Sequence, residues 1–496
     1  MRALWLFLLP AVVFGSPCDG LTGLTIPDTT IISATAVGAG PISLAGMRAP
    51  LTVTAFCRVL AVLRPTSDSE IHFEVWIPPA DAWNGKFEGT GNGGFSSAME
   101  YNRMAEALNR GYATAGSDTG HEGGDLKFGV GHAEKINDWA YRAVHVMTDE
   151  SKLILRAYYG RFPQYSYFNG CSTGGHQALS EAQRYPDDYD GIVAGDPGNN
   201  RIHLMAGFLW AYSALYKDSA SPLPAAKLPL INKAAVAACD ANDGVKDGII
   251  GDPRRCKFDP GVLLCRNGDD ASCLTAPQVE AVRKIYSGPV NARTGEKIFA
   301  GFPRGSETGW PGYFVDQPSP SRNEFWKLWV FNFPDWDWRT FDFDRDLAYA
   351  DKKMAAVNAL DTNLAPFKAH KGKLVMYHGW ADPVVPPEDG VRYYEAVQKT
   401  MGGAAKTDDF FRLFMAPGMG HCAGGVGPNS FDAVGALDQW VSKGEAPRRI
   451  VATHSTAGKV DRSRPLCPYP QEAVWKGSGS TDEAASFSCM NPGARP

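Results

Sequence analysis

Asn169 to Gly175 reads N-G-C-S-T-G-G, with Gly170 and Gly174 each two positions from Ser172. That G-x-S-x-G spacing suits a nucleophile elbow, a sharp strand-to-helix turn that strains the serine and lifts its hydroxyl above a sheet. Tyr165-Ser166-Tyr167-Phe168 before it reads as a buried strand end, and His176 to Ala182 after it has helical periodicity. A Gly-rich turn with an ordinary serine would look the same, so the nucleophile needs partners. In such a sheet an acid and then a histidine follow the serine in chain order. Lys373 to His378 reads as a strand running into Gly379-Trp380-Ala381-Asp382-Pro383, which sets Asp382 in a loop. A later strand pattern leads to Pro417-Gly418-Met419-Gly420-His421-Cys422. Ser172 would then attack an ester carbonyl, His421 would take its proton, and Asp382 would orient the imidazole and stabilise its charge. His378 rivals His421 but is embedded in the strand. The oxyanion would meet the Thr173 N–H and one N–H from the Gly-rich loop at Gly93 or Gly94, unless that loop is simply a turn.

The cysteines supply a separate check. Sequence proximity pairs Cys18 with Cys57, Cys239 with Cys256, Cys265 with Cys273 and Cys467 with Cys489. Cys171 and Cys422 are left over, one just before the proposed nucleophile and one just after the proposed base. A disulfide needs Cα atoms about 5.5–6 Å apart, so that bridge would make Ser172 and His421 neighbours. Two unrelated buried thiols are the alternative.

A second constellation is Cys239-Asp240-Ala241-Asn242-Asp243-Gly244-Val245-Lys246-Asp247-Gly248-Ile249. Asp240, Asp243 and Asp247 with the Val245 and Ile249 carbonyls make a hard-oxygen set suited to calcium. The EF-hand pattern is not met, lacking its twelfth-position Glu. A solvated acidic turn has the same spacing. The aromatic run Phe325 to Trp338 suits either an aromatic pocket or the interior of a lid.

The elements that must position these groups alternate between strands and helices, which implies a largely parallel sheet. Short alternating runs before residue 80 read as an antiparallel entry. Strands are expected at Ile71–Ile77, from Trp83-Asn84-Gly85-Lys86-Phe87, at Tyr112–Ser117, Gly191–Gly195 and Asp409–Phe414, with helices at Met99–Arg110, Asp138–Tyr159 and around Ser430–Ser442. The alternation lapses from about 200 to 360. The expected organisation is an α/β-hydrolase core in 17–200 and 360–496, with an inserted lid in 201–359. The 496 residues accommodate this, and 49 basic against 54 acidic residues argue against a nucleic-acid partner. Arg2, the apolar Leu4–Phe14 and Gly15-Ser16 read as a signal peptide over 1–16, implying a secreted or periplasmic protein with no membrane anchor.

Taken together, Cys171-Ser172, Asp382 and His421-Cys422, the G-N-G-G and G-C-S-T-G-G loops, the C-D-x-x-D-G-V-x-D-G-I loop, the D-W-D-W-R segment and the G-M-G-H-C end resemble the tannase and feruloyl esterase family. The resemblance covers essentially the whole mature chain. It implies a serine esterase with a lid, the five disulfides above, and a structural calcium at Asp240, Asp243, Val245, Asp247 and Ile249, away from the triad, with no organic cofactor. It implies small aromatic ester substrates: hydroxycinnamoyl esters foremost, with gallate esters or mono(2-hydroxyethyl) terephthalate as alternatives. A calcium-dependent binding protein on a degenerate hydrolase scaffold is the reading from another class.

Overall fold

Nine strands form one twisted sheet in the computed structural model, which describes residues 17–45, 47 and 49–493. The expected signal peptide, residues 1–16, lies outside the described residues. In chain order the strands are β1 (Thr29–Val37), β2 (Phe56–Leu63), β3 (Ile71–Ile77), β4 (Lys86–Thr90), β5 (Ala113–Ser117), β6 (Tyr165–Cys171), β7 (Gly191–Gly195), β8 (Lys373–Gly379) and β9 (Phe411–Ala416). Their spatial order is β1-β2-β3-β5-β4-β6-β7-β8-β9. The pairs from β1 to β5 are antiparallel and the rest are parallel.

The strand sequences follow from that placement. β5 and β7 are buried at every residue and carry no alternation, as strands covered on both faces must. The edge strand β1 alternates half-buried and exposed positions over most of its length.

The main helices are α1 (Tyr101–Asn109), α2 (Ala143–Tyr159), α3 (Thr173–Arg184), α4 (Arg201–Tyr216), α5 (Leu228–Cys239), α6 (Ala276–Ser287), α7 (Arg345–Lys353), α8 (Pro387–Thr400) and α9 (Ala433–Lys443). α2, α3 and α8 bury apolar faces on one side of the sheet, in a core with Phe73, Phe87, Phe168 and Met376. α1 and α9 cover the other side, with Tyr167, Val193, Val375 and Leu437. The helix expected from Asp138 begins instead as a wider π-type turn over Asp138–Arg142, and α2 proper starts at Ala143. Strand β9 starts and ends two residues later than expected, because Asp408 and Asp409 precede the ladder with β8.

Between β7 and β8 no residue joins the large sheet. α4 to α7 and several short helical turns pack there around their own core, which includes Phe208, Trp310, Phe325, Trp326 and Trp329. That core also takes in Phe95, Leu126, Trp139, Val384 and Val385 from loops of the sheet region. The aromatic run of 325–338 is therefore mainly interior: Trp329 donates its indole N–H to the Leu126 carbonyl at 2.8 Å and packs edge-on to Phe95 and Trp139. Phe333 alone among its phenylalanines is exposed.

Among the described residues no helix is long and apolar enough to cross a membrane. All ten cysteines are paired, in the five expected combinations.

Candidate active site

Ser172 stands between β6 and α3 with φ 65° and ψ −116°. A non-glycine residue there is strained, and the surroundings must enforce it. They do so by close approach. A Cβ on Gly170 would lie 2.4 Å from the Gly174 carbonyl oxygen, and one on Gly175 would lie 2.2 Å from that of Gly195. Ser172 is half-buried, whereas Cys171 and Thr173 beside it are buried.

His421 comes from the loop after β9. Its Nδ1 lies 2.7 Å from Asp382 Oδ2, in the loop after β8. The other oxygen, Oδ1, accepts the N–H groups of Val384 at 2.7 Å and Val385 at 3.0 Å. Burial alone would raise the Asp382 pKa, but the His421 charge and hydrogen bonds from His378 and His421 hold it well below the usual carboxylate range. Burial likewise works against a charged His421; the Asp382 charge and hydrogen bond outweigh it, and the pKa is raised above 6.5. An imidazole so held has its Nδ1 committed to the acid and leaves Nε2 free for a serine proton.

The Cys171–Cys422 bridge joins the nucleophile turn to the histidine loop, with Cα atoms 5.9 Å apart across 251 residues of chain. No hydrogen bond joins Ser172 to His421, a contact that commonly tightens only with substrate bound. His378 is fully buried in β8. Its Nε2 lies 2.9 Å from the Val385 carbonyl and 3.3 Å from Asp382 Oδ2, so it is committed to the acid and the backbone.

The Gly-rich loop after β4 packs directly on the start of α3. Gly174 N–H donates to the Asn92 carbonyl at 2.7 Å, and Thr173 Oγ1 donates to the Gly94 carbonyl at 2.8 Å. Among the described residues the N–H groups of Thr173, Gly93 and Gly94 make no hydrogen bond. Arg201 supports this corner, donating from Nη2 to Thr173 Oγ1 at 3.0 Å. Beside His421 a cavity of about 310 Å³ opens between the sheet loops and the insertion, bordered by Trp380, Arg304, Ser306 and Ile250.

A family profile described as tannase and feruloyl esterase matches residues 57–490. The chain belongs to the tannase and feruloyl esterase family. An uncharacterised esterase of Xanthomonas campestris pv. campestris is 41% identical over 535 aligned positions, covering 98% of this chain and 93% of the relative. A probable feruloyl esterase B-2 of Aspergillus terreus is 31% identical over 504, covering 97% and 92%. The crystal structure of feruloyl esterase B from Aspergillus oryzae matches with a TM-score of 0.89 at 31% identity, over 94% of this chain and 98% of that one. The fold is that of an α/β-hydrolase, and this member of the tannase and feruloyl esterase family is a carboxylic ester hydrolase.

In this family member the acidic loop after α5 is a tight turn closed on itself. Asp240 Oδ1 accepts the N–H groups of Asp247 at 3.0 Å and Gly248 at 3.1 Å, and Asp243 Oδ1 accepts that of Val245 at 3.0 Å. Burial first, then the nearby Asp247 and Asp240 charges, push Asp243 up to about 6. The three carboxylates offer the hard oxygens a divalent cation takes, but among the described residues they do not bring one oxygen each within 4.8 Å of one another. Asp247 Oδ2 also receives Arg464 Nη2 at 2.7 Å. The loop is nearer the triad than expected: Gly248 and Ile250 border the same cavity as His421.

One group escaped the sequence reading. Asp196, just past β7, is fully buried between the histidine and acid loops. The available signal was a lone Asp in Gly195-Asp196-Pro197-Gly198 at the carboxyl end of the strand next to the elbow strand, the edge where α/β sheets gather their chemistry.

Proposed function

We propose that this chain is an exported serine esterase that cleaves esters of aromatic acids, foremost feruloyl and related hydroxycinnamoyl esters. The observation that carries it is the His421–Asp382 hydrogen bond of 2.7 Å, tied by a disulfide to the residue preceding a strained serine. In this reading His421 Nε2 takes the Ser172 proton as the hydroxyl attacks the ester carbonyl. The oxyanion forms against the Thr173 N–H and an N–H of Gly93 or Gly94. The imidazolium, stabilised by Asp382, returns the proton to the leaving alcohol, and water then releases the acid by the same steps.

The preference for hydroxycinnamoyl esters is supported by the relatives named feruloyl esterases. Gallate esters and mono(2-hydroxyethyl) terephthalate keep the same chemistry with another acyl group. Export is supported by five disulfides and no free thiol, a pattern suited to an oxidising compartment.

The test pairs a serine-directed phosphonate with initial rates on methyl ferulate, methyl gallate and mono(2-hydroxyethyl) terephthalate. Native protein is expected to be labelled and Ser172→Ala to be neither labelled nor active. Labelling that survives the substitution removes the triad assignment. A preference for gallate or terephthalate moves the substrate within the family.

Asp240, Asp243 and Asp247, with the Val245 and Ile249 carbonyls, would hold calcium as a brace for the insertion, with no part in the bond-breaking steps. Chelation is expected to lower Tm and added calcium to restore it, the stabilisation free energy being RT ln(1 + [L]/Kd). A chelated sample that melts unchanged would count against the site.

A further inference from the structure

We propose that Asp196 is a positioning residue of the esterase site, clamping the histidine loop and the strand end that leads into the acid loop in register with the nucleophile. The inference rests on the triad reading of Ser172, Asp382 and His421.

The segment Gly195 to Gly198 touches all three triad-bearing elements. The Gly195 carbonyl accepts the Ser172 N–H at 2.9 Å, and the Ser172 carbonyl accepts the Gly198 N–H at 3.2 Å, so the backbone braces the serine from both ends. The Asp196 N–H donates to the Tyr377 carbonyl on β8 at 2.8 Å. Its carboxylate then reaches the other two elements. Oδ1 accepts the N–H of Gly379, three residues before Asp382, at 2.9 Å. Oδ2 accepts the N–H of Cys422, the neighbour of His421, at 3.3 Å, and lies 3.4 Å from Cys171 Sγ. One side chain therefore bonds to the histidine loop and to the end of β8, from which the acid loop leaves, while its own backbone segment holds the serine.

The electrostatics are unusual for a merely structural carboxylate. Asp196 has 0% exposure and no Lys or Arg partner among the described residues; its nearest cationic candidate is His378 Nε2 at 3.8 Å. The titratable groups facing it are His378 and Tyr377 on β8, Asp382 in the acid loop and His421 in the histidine loop. Burial, followed by Asp382 among the charges that raise it, pushes Asp196 up to about 7. Asp196 in turn adds to the forces that raise the His421 pKa. A second buried carboxylate beside the triad acid costs stability. Its location at the junction of the three loops gives that cost a purpose, since misplacement of a base by about 1 Å can cost roughly a hundredfold in rate.

Asp196→Asn is the decisive variant. Asp196 has φ 37°, in the left-handed region that Asn tolerates better than most residues, and Asn has nearly the same volume. The amide keeps one acceptor oxygen, turns an NH2 toward the other backbone N–H and removes the charge. The expected result is a folded protein with kcat reduced roughly ten- to a hundredfold and KM little changed. The acid limb of kcat/KM should move modestly to lower pH, because a carboxyl that titrates near 7 beside the imidazole is replaced by a group that cannot ionise. Asp196→Glu keeps a titrating carboxyl but displaces it, so kcat should fall while the acid limb stays near its wild-type position. Wild-type kcat in either folded variant, or an unmoved acid limb in Asp196→Asn, overturns the proposal. Failure of both to fold would make Asp196 a residue of the fold alone and overturn it as well. A native protein whose Ser172 resists the phosphonate fails at the triad reading instead, whatever Asp196 does.

Discussion

Helix α3 runs between two clusters, each of one histidine and two carboxylates. At its N-terminal end Asp382, His378 and Asp196 bring their ligand atoms within 4.8 Å of one another, and at its C-terminal end His145, Glu181 and Asp188 do the same. The hydrogen bonds separate them. Asp382 accepts two backbone N–H groups and the His421 ring, and it is held ionised. Glu181 is equally buried, yet neither of its carboxyl oxygens has a partner; burial, then the Asp188 charge, push its pKa well above 4.5. His145 is bonded to Asp188 at 2.7 Å and stacked on Tyr185 with ring centres 3.7 Å apart, so its face and one nitrogen are spent on packing. Residue types and proximity are thus shared, but Asp382 has donors on both oxygens and reaches, through His421, a cavity and a strained serine turn joined by a disulfide, whereas Glu181 has no donor. An anion surrounded by donors can stabilise an imidazolium; one without donors takes up a proton instead.

The contrast predicts its largest effect at Asp382. Asp382→Asn should fold and lose about 10⁴-fold in kcat, as in serine hydrolases where the imidazole takes the wrong tautomer. The wild-type acid limb should lie above the ordinary imidazole value, because the Asp382 charge raises the His421 pKa against burial and only the neutral ring accepts the serine proton. A pH–rate profile checks both statements, and an acid limb below pH 6.5 would contradict the electrostatic account. Next in size is the bridge. Cys171→Ser with Cys422→Ser should lower kcat by roughly one to two orders of magnitude, since His421 and Ser172 each adjoin a bridged residue. Tm should fall too, as cross-linking a long loop restricts the unfolded chain. Circular dichroism at 25 °C should stay native; near-wild-type turnover would show that the loops find their register without the bridge.

The sequence carried much of this site because its groups are announced locally. Glycines flank Ser172, glycines precede His421, and Asp382 follows a complete apolar strand, so each is legible within a dozen residues. The disulfide pairings were legible because four of the five are short-range, which left Cys171 and Cys422 for one another. Asp196 was not legible, because its partners Gly379 and Cys422 are 183 and 226 residues away and receive it through backbone N–H groups that no side-chain pattern marks. The insertion was legible as a lapse in alternation but not as an architecture. Its core borrows Phe95, Leu126 and Trp139 from loops hundreds of residues earlier than some of its own members. The nearness of the acidic loop to His421 was missed for the same reason: it is set by how the insertion docks.

The smallest predicted effect tests the quiet cluster. Glu181 holds its proton in the folded protein at pH values where the unfolded chain has released it, so its folded pKa is the higher one. Folding then takes up a proton, and stability falls as pH rises from the ordinary carboxyl value through the folded one. Glu181→Gln cannot ionise and occupies nearly the same volume. It should leave kcat within about twofold, because neither Glu181 oxygen bonds to a group that meets the transition state. Its Tm should decline less than that of wild type between pH 5 and pH 8, making the variant the more stable protein at the alkaline end. A parallel decline in both proteins would mean that Glu181 finds a donor the structure does not give it. A large loss of kcat would break the comparison itself, since the C-terminal end of α3 would then be coupled to the chemistry at its N-terminal end.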